Sequence, residues 1–364
     1  MFQLKNKKDV SEIINCDVES LILDLNKSAF IFGDNLKAMQ ACLSILKGKV
    51  DLVYIDPPFN TNQVFAISEG RASTISRTKK GEVAYSDLMS KDDFLNFMYE
   101  RFVLIHELLS DNGSLYVHID SKMSHYFKVM LDEIFGDENF KNDITRVKSN
   151  PKNFDRKAYG NQKDIILFYS KNHKKNIWND VRIAISDDDE IAKKFPKIDE
   201  NGRRYTTIPL HAPGESSPTS PTGQTWRGMN PPVGRHWRTN PLEFDRMDAE
   251  GLIEWSANGN PRIKKYSDEH KGMKIQDIWT FKDPQYPIFP TEKNLEMLSL
   301  IIKQSSNCDS IVLDCFAGSG TTLLAAVLNG RKFIGIDNSP ISLRTIRQKL
   351  SDYAFDIIEI DEEI

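Results

Sequence analysis

A chain of 364 residues with 40% hydrophobic and 27% charged residues can fill one large core and carry a second lobe. No apolar run approaches the ~18 residues that a membrane span needs, and Cys16, Cys42, Cys308 and Cys315 show no paired zinc spacing, so the expected setting is cytoplasmic, with reduced thiols and no metal. The formal net charge of −4 is uneven: residues 141–282 hold 26 Lys+Arg against 19 Asp+Glu (+7), leaving 22 against 33 (−11) elsewhere, so the middle of the chain is the part suited to a polyanion.

Residues 50–55 are apolar except for Asp51 and read as a buried parallel strand. They run into Asp56-Pro57-Pro58-Phe59. Neither proline can donate to a ladder, and the residue before a proline is pushed out of the α region. Asp56 is therefore held extended at the strand's carboxyl edge, where ligands bind in open α/β sheets. A fixed carboxylate, the free Pro57 carbonyl and the Phe59 ring together suit an exocyclic amino group on a planar base. The polar stretch between Asn60 and Ser90 reads as a loop beside that edge. Ser90 then caps a helix whose stripe, from Phe94 and Met98 to Phe102 and Ile105, faces the sheet.

From about residue 173 the composition shifts to Pro, Gly, Trp and Arg. Cations interleave with aromatics here, and guanidinium groups can clamp phosphates or read guanine edges. Arg227, Arg235, Arg238, Arg262, Lys264 and Lys265 are the candidate nucleic-acid contacts, ahead of the tryptophans, which are more often core residues of a small domain. The sheet pattern resumes near residue 276, and Thr291 is a candidate cap for the next helix. Residues 311–315 form another apolar strand, followed by Phe316-Ala317-Gly318-Ser319-Gly320-Thr321-Thr322, a helical run and a strand ending at Asp337. Amides at such a helix start face a ligand, and an acid at that offset can accept from ribose hydroxyls. The loop lacks the lysine of a P-loop, and Leu323 stands where a dinucleotide site wants a small residue. It therefore suits a nucleoside ligand without pyrophosphate.

In this order, acid-proline-proline motif first and glycine loop last, the chain resembles the beta (permuted) class of amino-group DNA methyltransferases that use S-adenosylmethionine. The resemblance extends from about Phe30 to Asp337 and includes 31–35, 113–120, 164–171 and 290–294; its closest style is the modification subunits of Type III restriction systems. It implies an α/β fold, a Rossmann-like methyltransferase sheet with circularly permuted motif order and an inserted target-recognition lobe. The implied divisions are 1–172 (catalytic portion), 173–275 (target recognition) and 276–364 (cofactor portion).

The resemblance also implies roles. Asp56, Pro57, Pro58 and Phe59 would hold a flipped-out base, with one of Phe168 and Tyr169 as a second wall. Asp34, Thr291, Lys293, Asp314, Phe316, Gly318, Gly320, Thr321, Thr322 and Asp337 would surround S-adenosylmethionine, although Asp34 reads equally as a helix cap. The acid form of the motif is associated with adenine N6; cytosine N4, or an RNA or protein amine, stays open. Expected partners are double-stranded DNA and, as the family admits, a restriction subunit or a second copy.

Overall fold

The protein is described from a computed structural model that covers all residues except 1–3, 17, 59–63, 69–70, 76–81, 87–88, 149–156, 184–187, 284–291 and 361–364; for 64–68, 71–75 and 82–86 only the backbone is described. Phe59 and Thr291 thus lie outside the described residues. Short β-branched and aromatic runs bounded by Gly, Asp or Pro build a nine-stranded mixed sheet among the described residues. In chain order its strands are β1 (Ser28–Phe32), β2 (Val50–Ile55), β3 (Leu109–Ile119), β4 (Phe140–Val147), β5 (Lys163–Ser170), β6 (Ile278–Trp279), β7 (Ile311–Asp314), β8 (Lys332–Asp337) and β9 (Phe355–Glu359). Across the sheet they run β6-β4-β5-β3-β2-β7-β8-β1-β9.

The pairings β3–β2, β2–β7, β7–β8, β8–β1 and β1–β9 are all parallel, while β5 runs antiparallel to both β3 and β4. Parallel neighbours end at one edge. The residues following β1, β2, β7 and β8, namely Gly33-Asp34, Asp56, Cys315-Phe316 and Asn338, therefore emerge together. Both faces of the sheet are covered, as its near-continuous apolar strands require. Ser90 caps the helix Lys91–Leu108 by accepting from the Asp93 amide, and Phe94, Met98, Phe102 and Ile105 are fully buried, as the stripe predicted. The downstream helix Leu295–Ser305 is capped by Asn294, whose Oδ1 accepts from the Met297 amide at 2.9 Å; the cap is thus Asn294 rather than Thr291.

Between residues 60 and 90 a loop was expected, yet the backbones of Val64–Ser68, Arg71–Ile75 and Glu82–Ser86 pair as a three-stranded antiparallel sheet. Short runs such as Val-Phe-Ala-Ile-Ser satisfy their amides against one another despite the polar composition around them.

The chain divides into two units, residues 1–181 with 276–364, and residues 182–275. Residues 173–181, expected to open the insert, stay with the first unit. The Ile177 amide donates to Asn112 O (3.0 Å), the Asn179 side chain donates to Lys303 O and Ser306 O (2.8 Å each), and Trp178 stacks on Phe168. The second unit has its own four-stranded antiparallel sheet, ordered Lys197–Ile198, Arg204–Pro209, Pro261–Tyr266 and Ile253–Trp255, with a helix at Pro241–Ala249. Leu210, Trp226, Trp237, Phe244, Ile253 and Ile263 form its core. No helix of the described residues is long and apolar enough to cross a membrane.

Candidate active site

The glycine loop leaves β7 and turns into the helix Thr321–Leu328. Gly318 and Gly320 have φ of +49° and +71°, values that L side chains avoid, and a Cβ on Gly320 would meet Ile346 Cγ1 at 2.6 Å. Asp337, at the end of β8, fixes the loop's shape: its Oδ2 accepts from the Gly318 amide (2.8 Å) and its Oδ1 from the Ser339 amide (2.9 Å). Burial pushes its carboxyl up, against the lowering effect of those amides. Asp314, 3% exposed, accepts from the Phe316 amide at 3.0 Å and is hydrogen-bonded by Thr322. Its carboxyl is pushed up to about 7, chiefly by burial and further by the nearby charges of Asp56 and Asp337. Thr321 is buried and held by Ser319 (2.8 Å) and Lys349 (3.0 Å). Asp314, Thr321, Thr322 and Asp337 thus build the loop from inside, while the Phe316 ring lies beside Phe97, 6.2 Å between centroids.

Asp34 caps the helix Asn35–Leu46: Oδ1 accepts from the Leu36 and Lys37 amides at 2.9 and 3.1 Å, and Oδ2 lies 3.4 Å from buried Arg101. Arg101 also donates to Asn35 Oδ1 (2.7 Å), and Asn35 Nδ2 donates to Cys315 O (2.7 Å), so this cluster ties the end of β1 to the start of the glycine loop. Burial pulls the Arg101 guanidinium down to about 10, against the opposing pull of Asp34. Its place on the apolar helix Lys91–Leu108 gave no sequence signal beyond being a cation on an otherwise buried face.

Asp56 follows β2, between β3 and β7 in the sheet. Its Oδ2 meets Lys293 Nζ at 2.6 Å, and its Oδ1, buried, takes no hydrogen bond among the described residues. Lys293, expected near the glycine loop, touches the acid of the Asp-Pro-Pro motif. Its neighbour Glu292 pairs with Lys349 at 2.5 Å, and Lys349 reaches Thr321, so residues 292–293 join motif and loop. Behind Asp56 lies His118, fully buried on β3, with Nδ1 3.8 Å from Asp56 Oδ1 and 2.9 Å from the Tyr54 hydroxyl. Neither His118 nor Tyr54 was singled out by sequence.

The expected second wall is corrected. Phe168 and Tyr169 are 2% and 0% exposed. Phe168 stacks on Tyr116 (4.3 Å) and Trp178 (5.7 Å), and the Tyr169 hydroxyl bonds Asp132 (2.7 Å). The strand they occupy is covered on both faces, so period-2 alternation sends both rings into core.

In the second unit, Arg227 is also corrected. It pairs with Asp245 (3.1 Å) and Asp248 (2.5 Å) and lies over the Trp226 ring, which fastens its own loop to the helix Pro241–Ala249. Arg235, Arg238 and Arg262 enter no salt bridge among the described residues; Arg238 and Arg262 donate to backbone oxygens of Pro209 and Thr207. They gather around His211, whose proton affinity is lowered by burial and then by Arg235, Arg238 and Arg262. Lys264 lies over the Tyr205 ring (5.2 Å), and Lys265 is exposed on the same strand.

A family described as DNA methylase matches residues 50–348. The chain is 40% identical over 338 residues to the Type II methyltransferase M.EcaI of Enterobacter cloacae, covering 91% of this chain and 70% of that protein. It is 27% identical to the Mod subunit of the Type III restriction-modification enzyme StyLTI of Salmonella typhimurium, covering 88% of this chain but only 53% of that subunit. A solved structure of the M1.HpyAVI–SAM complex is similar at 17% identity and a TM-score of 0.44, covering 88% of this chain and all of that one.

Proposed function

The chain belongs to the DNA methylase family, and from that premise we propose that it transfers a methyl group from S-adenosylmethionine to the exocyclic N6 of adenine in duplex DNA, within a restriction-modification system. The observation that carries this reading is the adjacency of β2 and β7, which brings the Asp56 carboxylate and the glycine loop off one sheet edge as neighbours. The loop suits the donor: its two left-handed glycines let the backbone approach a nucleoside closely, and the half-buried Asp56 carboxylate off the same sheet edge favours a cationic reacting end. The donor supplies a methyl group already activated on a positive sulfur, so no metal or protein nucleophile is required.

The chain's task is then to present the amine. Its lone pair is delocalised into the ring, and acceptors on both N–H groups favour a pyramidal nitrogen. Asp56 Oδ1 is the first such acceptor, because Lys293 occupies Oδ2; the Pro57 carbonyl is the second. The base must leave the duplex to reach them, at a cost of a few kcal/mol. Adenine is preferred over cytosine because the motif begins with Asp. Arg235, Arg238 and Arg262 of the second unit are its candidate DNA contacts, and a restriction subunit is the candidate partner, as in the Type III relatives.

The test is transfer of label from S-adenosylmethionine to unmethylated genomic DNA, followed by nucleoside analysis. N6-methyladenine that disappears with Asp56→Ala supports the reading. Label found only as N4-methylcytosine, or only on RNA, rejects it.

A further inference from the structure

Methyl transfer to an amine leaves a proton to be disposed of, and the first unit holds a chain of ionisable groups behind Asp56 that the presentation of the amine does not use. Buried charges are weak contributors to stability and cluster where chemistry is done. His118 is 0% exposed and Asp164 2% exposed; His118 Nε2 lies 3.4 Å from Asp164 Oδ2. The other Asp164 oxygen meets Lys148 Nζ at 2.5 Å, and Lys148, one-third exposed, marks where this chain of groups reaches solvent. Fully buried Arg146 stands 3.8 Å from Asp164 and is itself held by Phe281 O (2.9 Å) and by Asp283. On the opposite side of the imidazole are the Tyr54 hydroxyl and Asp56 Oδ1, with Lys293 beyond the carboxylate.

We propose that His118 receives, through Asp56, the proton that the target amine must shed, and that Asp164 stabilises the imidazolium so formed. This rests on the reading given under Proposed function and adds to it a route for the proton. The amine lone pair forms the N–C bond while the C–S pair stays with sulfur. The methylated nitrogen then carries a positive charge and gives one N–H proton to Asp56 Oδ1. Asp56 passes it to His118 Nδ1 once the Tyr54 hydroxyl turns aside. The imidazolium afterwards loses its Nε2 proton past Asp164 to water at Lys148, which leaves the ring neutral and protonated on Nδ1. Once the product has left, loss of the Nδ1 proton to solvent through the opened site and uptake of one at Nε2 along the Lys148 route restore the resting tautomer.

The electrostatics suit such an acceptor. Burial, joined by Lys293, holds His118 below its ordinary value, with Asp164 and Asp56 pulling the other way, so the resting ring is neutral. Asp164, which burial alone would raise, is held well below the usual carboxylate range by its hydrogen bonds to His118 and Lys148, so it remains an anion facing Nε2. The tautomer follows from the partners: Nε2 carries the proton toward Asp164, and Nδ1 accepts from Tyr54.

Three measurements test this. In single-turnover transfer, His118→Gln should slow the methylation step by roughly 100-fold, with little change in KM for S-adenosylmethionine or DNA. The wild-type rate should fall as acid protonates His118, and that limb should vanish in His118→Gln. Asp164→Asn, which keeps the shape but loses the anion, should move the limb to lower pH, and it decides the matter if His118→Gln does not fold. In the resting enzyme without substrate, nitrogen NMR of labelled histidine should show His118 neutral and protonated on Nε2 at pH 7. A wild-type rate in His118→Gln, a slower variant whose pH profile keeps its shape, or an Nδ1-protonated ring overturns the proposal. A wild type that labels no DNA refutes the underlying reading instead, and the resting tautomer is measured independently of it.

Discussion

Replacing Asp314 by Asn should make the protein more stable at pH 8 than at pH 5, relative to the wild type. The carboxyl is buried at the end of β7 and raised from an ordinary 3.8 to about 7. A raised carboxyl means that the folded state binds more protons than the unfolded chain between those two values, so wild-type stability falls as pH climbs through that window. At 1.36 kcal/mol per tenfold, the full contribution is about 4 kcal/mol, of which roughly 2–3 kcal/mol falls between pH 5 and 8. Asn keeps an Oδ1 acceptor for the Phe316 amide and can donate to Thr322, so the loop geometry is retained. Urea unfolding of both proteins at the two pH values gives the difference, with the titrating groups remote from Asp314 cancelling and only Asp56 and Asp337 adding to it. A wild-type-to-variant difference that does not change with pH would show that Asp314 is ionised in the folded state at no cost, and the account of this acid would be wrong.

Gly320→Ala should destabilise the first unit by roughly 2–4 kcal/mol, because a left-handed non-glycine residue and a Cβ against Ile346 add their costs; calorimetry with and without S-adenosylmethionine checks it. Arg235→Ala, Arg238→Ala and Arg262→Ala together should weaken DNA binding and reduce the dependence of log affinity on log salt by up to about 3, near 0.9 for each phosphate no longer neutralised. Arg227→Ala should leave that slope unchanged and lower the melting temperature instead, since its partners are Asp245 and Asp248; fluorescence anisotropy against a salt series separates the two cases.

Features that depend on a few neighbouring residues were legible in the sequence by itself. The strands read at 50–55 and 311–315 (Ile311–Asp314 in the structure), the helix capped by Ser90, the abrupt stop at Asp56-Pro57 and the glycine turn follow from side-chain period, missing amide donors and left-handed φ, all local properties. What depends on which strands become neighbours was not legible. Only the sheet order sets β2 between β3 and β7, and so puts His118 behind Asp56, while the loop entering the helix Leu295–Ser305 brings Lys293 onto it. Only the two-sided burial of β5 sends both Phe168 and Tyr169 into core, and only the packing of the second unit shows that Arg227 is already paired. The reason is range: backbone preferences act over a few residues, whereas a charge takes its role from partners that folding brings within 4 Å, from anywhere in the chain.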